Sequence, residues 1–151
     1  MEKLASIALA IAAVSLSAPA SAQFAKAEDA IKYRQSAFFV MQQNFSRVAA
    51  MAAGKAPFDA KVAADSAAVA EFTAKLPWAG FGEGTDKGRD NRAKAEIWSD
   101  RAKFNDSAEK MQLEMTKLNA AAKTGNLDAI KTAVGSVGGT CKTCHDAFRK
   151  D

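Results

Sequence analysis

The sequence predicts an all-α protein, an antiparallel up-down-up-down four-helix bundle, and three observations predict it. Apolar residues recur at steps of three and four along four separate stretches, the spacing of a helix face, and no segment alternates as a strand would. Glycine and proline, which end helices, fall between those stretches at Gly54, Pro57, Pro77 and Gly125. The connections are mostly short, which makes successive helices antiparallel neighbours.

The elements follow in order. The first helix is expected over residues 26–53, its inner face passing through Ile31, Arg34, Phe38, Met41, Phe45, Val48 and Ala52 before Gly54 stops it. After Pro57, Asp59 is a natural N-cap. It opens a second helix over 59–76 with Val62, Ser66, Val69, Phe72 and Leu76 inward and Pro77 as its end. The one long connection, from Pro77 to Ala95, is rich in glycine and charge. A third helix over 95–124 takes Ile97, Arg101, Phe104, Ala108, Met111, Met115, Leu118 and Ala122, with Gly125 beyond its end. The fourth, over 127–149, takes Leu127, Ile130, Val134, Val137, Cys141, Cys144 and Phe148.

The opening stretch "MEKLASIALAIAAVSLSAPASAQF" reads as a signal peptide over residues 1–22. Lys3 precedes an apolar run from Leu4 to about Leu16, and Ala20-Ser21-Ala22 favours cleavage before Gln23. The run falls short of the roughly 20 residues that span a membrane, and it lacks the amphipathic period of a buried helix. Residues 23–151 are therefore expected to form one compact domain, exported to a bacterial periplasm, with no membrane span. The net charge of +4 is scattered along the chain. A nucleic-acid surface gathers its cations into a stripe with interleaved aromatics, so no nucleic-acid partner is expected. The charges read as solvated surface, with steering toward an acidic partner as the other use for them.

The chain's two cysteines and its single histidine fall within "CKTCH". Residues three and four apart share a helix face, so Cys141, Cys144 and His145 point the same way, and the fourth run aims that face into the bundle. C-x-x-C-H is the attachment signature of c-type haem. The two thiols form thioethers to the porphyrin vinyl groups, and the adjacent imidazole reaches the iron of the same macrocycle. Three rivals fare worse. A structural zinc site takes four Cys or His ligands, and no further Cys or His exists to complete one. A thioredoxin-like dithiol follows a strand. A plain disulfide leaves the neighbouring His145 without a role.

With "AEDAIKYRQSAFFVM", "LPWAGFGEGT", "AEIWSD" and "CKTCHDAFRK" as the matching stretches, nearly all of residues 23–151 resembles cytochrome c′, the class II c-type cytochromes. The resemblance implies a periplasmic protein with one covalent haem c, often a homodimer, whose iron commonly has five ligands. It further implies binding of NO and CO, and links to NO tolerance or to electron transfer with a redox protein partner. By resemblance Cys141 and Cys144 are the haem-linking thiols and His145 the axial iron ligand. Arg149 is the basic residue beside that histidine, Arg34 and Gln35 lie near the haem propionates, and Phe38 lies on the distal face. The segment from Gly84 to Ala95 is a few residues longer than the family's, so propionate contacts by Arg89, Arg92 or Lys94 are not carried over.

Geometry gives its own expectation. In such a bundle the end of the fourth helix lies beside the start of the first, the end of the second and the start of the third. At about 1.5 Å per residue, Cys141 and Phe38 sit at similar heights. The pocket is then expected to be walled by Phe38, Met41, Phe72, Leu76, Ile97, Trp98 and Phe104. Arg34 and Arg101 interrupt apolar faces at this level, and a buried cation needs a partner: a propionate, or the surface by snorkelling. For a sixth iron ligand, helix length sets Met111 and Met115 too far away, which leaves Met41. Two functions follow. One is gas binding at a five-coordinate iron; the alternative is a low-spin, six-coordinate electron carrier with Met41 as sixth ligand. No catalytic residue is expected, because Phe38 offers no distal acid or base. Phe39, Val40, Ala49, Ala50 and Ala53, outside the first helix's inner face, are expected to support an antiparallel homodimer through the first two helices.

Overall fold

The structure is a computed structural model that describes residues 23–88 and 91–150. The signal peptide expected over 1–22 lies outside the described residues, as does Arg89. Among the described residues five helices form: α1 (Ala27–Ala52), α2 (Ala60–Thr73), α3 (Glu96–Ser99), α4 (Arg101–Lys123) and α5 (Leu127–Phe148), with a 3-10 turn at Pro77–Gly80. No strand forms among the described residues, only an isolated antiparallel bridge between Ala93 and Arg149. Helix α2 packs on α1 and α4, and α5 packs on α4 and α1, so the four long helices close a ring. This is the expected bundle. No described helix is long and apolar enough to cross a membrane.

Local chemistry explains the ends. Gly54 and Gly125 take positive φ (69° and 68°) just past α1 and α4, the left-handed residue that closes a helix. The Asp59 side chain accepts from the Val62 amide at 3.0 Å, and Asn126 caps α5 by accepting from the amides of Asp128 and Ala129.

Two expectations are corrected. The third helix is not continuous: Asp100 has φ −122° and ψ 60°, and its carboxylate accepts from the Lys103 amide. It ends the single turn of α3 and caps α4. The second helix ends at Thr73, and its buried face is Ala63, Ser66, Ala67, Ala70 and Thr73. Val62, Val69 and Phe72 are exposed instead. The physical reason is proximity, since α2 is wedged between α1 and α4 and only small side chains fit there. Ser66 and Thr73 tolerate burial because each finds a partner, Ser66 from Arg47 and Thr73 at the Val69 carbonyl.

Away from the C-terminus of α5 the core is tight, with Val48, Ala63, Leu118 and Ile130 wholly buried. At the opposite end a second cluster, built on Phe81, Ile97, Phe104 and Phe148, surrounds a cavity.

Candidate haem-binding site

The cavity holds about 660 Å³, within the roughly 300–1,000 Å³ of small-molecule and cofactor sites. Its lining includes every site residue expected from the sequence: Arg34, Gln35, Phe38, Cys141, Cys144, His145 and Arg149. Helix α5 delivers three of them by register. Cys141 and Cys144 lie one turn apart, both half-buried free thiols, with His145 exposed at the mouth. Burial pushes both thiols up, Cys144 to about 11 with the neighbouring Cys141 adding to the effect, so both are protonated at neutral pH. Burial against the cavity lowers the His145 pKa, and the Arg149 cation lowers it further, against Asp146. The imidazole is therefore neutral at pH 7, with a lone pair free for a metal.

The walls are aromatic, and only partly those expected. Phe38, Met41, Ile97 and Phe104 line the cavity; Phe72, Leu76 and Trp98 do not. Phe72 is 66% exposed because α2 is rotated, and the Trp98 indole turns away to donate to the Gly82 carbonyl. Their places are taken by Trp78 and Phe81, whose rings stack at 6.3 Å and meet Phe38 edge-on at 5.5 and 6.2 Å. The signal for them was "LPWAGF": two aromatics beside a proline turn. The Trp78 indole donates to the Ala74 carbonyl, which fixes the turn on the end of α2. Met111 and Met115, set aside on helix length, line the cavity as well. Helix α4 starts at Arg101, so Met111 is only about 15 Å along it.

The two arginines behave differently from one another. Arg101 is exposed, donates to the Phe81 carbonyl at 2.9 Å and does not line the cavity. Arg34 is 3% exposed, so its guanidinium does not snorkel, and among the described residues it meets no carboxylate. It donates to the Gly80 carbonyl, the Thr85 hydroxyl and carbonyl, and the Asn91 side-chain oxygen, all at 2.7–2.9 Å. Burial lowers its pKa to about 10, so it remains a cation at any physiological pH. Arg92 and Arg149 both line the cavity; Arg149 pairs with Ala93 in the isolated bridge, and the Lys150 amide donates to the Arg92 carbonyl.

Two thiols one helical turn apart, a neutral imidazole beside them, an apolar aromatic chamber and cations at its edge fit a covalently tethered macrocycle that carries a metal and acidic side groups. The comparisons agree. A family model described as Cytochrome C' matches residues 29–149. A cytochrome c' of Rubrivivax gelatinosus is 55% identical over 128 residues, spanning 85% of this chain and 99% of that protein. Its crystal structure superposes with a TM-score of 0.82, covering 85% of this chain and all of that one. The nitric oxide complex of a variant of cytochrome c prime from Alcaligenes xylosoxidans is 46% identical, with a TM-score of 0.79, over 85% of this chain and 99% of that one.

The chain belongs to the cytochrome c′ family. It is thus a haem c protein, and Cys141 and Cys144 fit the covalent attachment.

Proposed function

We propose that this protein is a periplasmic haem c protein that binds NO and CO at a five-coordinate iron, and that it can also exchange electrons with a redox protein. The haem supplies the ligand-accepting metal. The residues supply the rest: Cys141 and Cys144 would tether it, His145 would hold the iron, and burial, with the like charge of Arg149 adding to it, favours the neutral form of that imidazole. Gln35, Arg34 and Arg149, on the cavity lining, are the polar groups offered to the propionates.

The observation that carries this reading is Phe38. It stands on the α1 wall of the same cavity, braced edge-on by Trp78 and Phe81, and it can neither ligate iron nor donate a hydrogen bond. Such a face suits a small neutral gas better than an anion or a ligand that needs a proton donor, and it gives a peroxidase-like reaction no acid or base. The nitric oxide complex of the Alcaligenes xylosoxidans variant supports the ligand class. A second reading has one specific support: Met41, 7% exposed, lines the cavity one turn beyond Phe38, and as sixth ligand it would make a low-spin electron carrier. Absorption spectra of the ferric and ferrous protein, before and after NO, decide between them. A high-spin resting spectrum that changes with NO is expected. A low-spin spectrum abolished by Met41→Ala would establish the electron carrier.

Homodimerisation is part of the proposal. Phe39 and Phe72, 61% and 66% exposed, lie at similar distances from the turn joining α1 and α2, with Val40 and Val69 beside them. A second copy covering this face needs to bury about 1,200 Å² or more for a stable pair. Sedimentation at micromolar concentration should show a dimer, and Phe72→Glu a monomer.

A further inference from the structure

The Arg34 guanidinium has five N–H groups. Four of them, on the two terminal nitrogens, are matched by four acceptors in the segment after α2: Gly80, Thr85 (twice) and Asn91. Those acceptors lie 46 to 57 residues away in sequence. Among the described residues the Nε–H has no acceptor, so Arg34 can hold this segment and still stand near a haem propionate as the sequence expectation has it. Around this fork the fit is close. The guanidinium carbon stands 4.3 Å from the Phe81 ring centroid and 5.8 Å from that of Trp98. A Cβ on Gly80 would come within 2.6 Å of the Ala30 carbonyl and 2.8 Å of the Arg34 Cβ, so glycine alone lets the turn lie flat on α1. Thr85 and Asn91 are themselves held: the Thr85 hydroxyl donates to Gly82, and the Asn91 amide donates to the Thr85 carbonyl.

We infer that Arg34 is a positioning residue: its forked donors clamp Gly80, Thr85 and Asn91 onto α1 and thereby hold Phe81 and Trp78 behind Phe38, setting how closed the ligand side of the cavity is. A charge alone cannot do this, since burying a cation is costly and four directed hydrogen bonds offset that cost here. A lysine would keep the charge but present three donors from one point, and could not reach Gly80, Thr85 and Asn91 together. The consequence for ligand entry rests on the gas-binding reading above; the clamp itself does not.

The test uses the haem-loaded protein and two variants, Arg34→Lys and Thr85→Val/Asn91→Ala, the second of which leaves Arg34 and its charge in place. Hydrogen exchange at the amides of residues 81 and 85, which donate to the Trp78 and Gly82 carbonyls, should quicken about tenfold or more in both as the turn opens locally. CO association should quicken in both although Phe38 is untouched. Wild-type exchange in Arg34→Lys would overturn the inference, because charge would then suffice; so would wild-type exchange in the Thr85→Val/Asn91→Ala variant. Should Arg34→Lys fail to fold, the double variant decides alone. A wild-type protein that takes up neither CO nor NO would defeat the gas reading, while the exchange data would still decide the clamp.

Discussion

The two ends of the bundle are built on opposite plans. At the closed end, side chains are small or aliphatic and wholly buried: Val48 of α1, Ala63 and Ala67 of α2, Leu118 of α4 and Ile130 of α5 share one core cluster. At the open end, large rings are spread apart. Phe38, Trp78, Phe81 and Phe104 meet at centroid distances of 4.9–6.3 Å, edge to face except for the stacked Trp78–Phe81 pair, and leave a chamber of about 660 Å³. Helix–helix contact needs only complementary surfaces and is complete at the closed end. Rings that prop one another apart need a fixed frame, and the Arg34 fork and the Pro77–Gly80 turn supply it. The comparison teaches that one end of this chain is designed for stability and the other for occupancy.

Four experiments would break or sharpen that division. The largest effect should come from the tether. Cys141→Ser together with Cys144→Ser should leave no haem on the denatured polypeptide, whereas the wild type keeps it through acid–acetone extraction. Haem released intact from the wild type would end the reading of the open end. Next, Leu118→Ala at the closed end removes a fully buried side chain and should cost about 2–5 kcal/mol in denaturant unfolding of the haem-loaded protein. Its absorption spectrum and CO association should stay unchanged, and a change in either would show that the two ends are not separable. Third, Phe38→Ala should speed CO association at least about tenfold, roughly 1.4 kcal/mol off the barrier. An unchanged rate would make Phe38 ordinary core.

The smallest effect concerns pH. Glu71 on α2 accepts from the Thr116 hydroxyl at 2.8 Å and from the Asn119 amide on α4. These bonds hold its pKa below the ordinary 4.5. A depressed carboxylate contributes stability that is complete above 4.5 and is lost as pH falls through its folded value. The melting difference between wild type and Glu71→Gln should therefore be flat from neutral pH down to about 4.5 and shrink below it. A difference that grows on acidification would contradict the assignment.

Much of this was legible in the chain itself. Asp59 was readable as a cap, and Gly54 and Gly125 as stops, because capping and left-handed closure are settled within three or four residues. The inner faces of α1, α4 and α5 followed the apolar period wherever large and small residues alternate clearly. Helix α2 misled, because nearly half of it is alanine and the larger Val62, Val69 and Phe72 drew the inner face onto the wrong side. Asp100 was overlooked as a cap because an apolar period runs straight across it.

The sequence by itself determined that the two thiols and the imidazole stand together. Cys141, Cys144 and His145 are bound to one face by helix geometry, whatever packs around them, and the arrangement of four helices follows from periods and stops that are equally local. Only the tertiary structure decided which way α2 turns, that Trp78 and Phe81 form the wall, that Met111 and Met115 reach the cavity, and what Arg34 holds. Each of these depends on the room left between helices or on partners dozens of residues away, and a guanidinium's choice among acceptors is made by whichever carbonyls the fold brings within 3 Å.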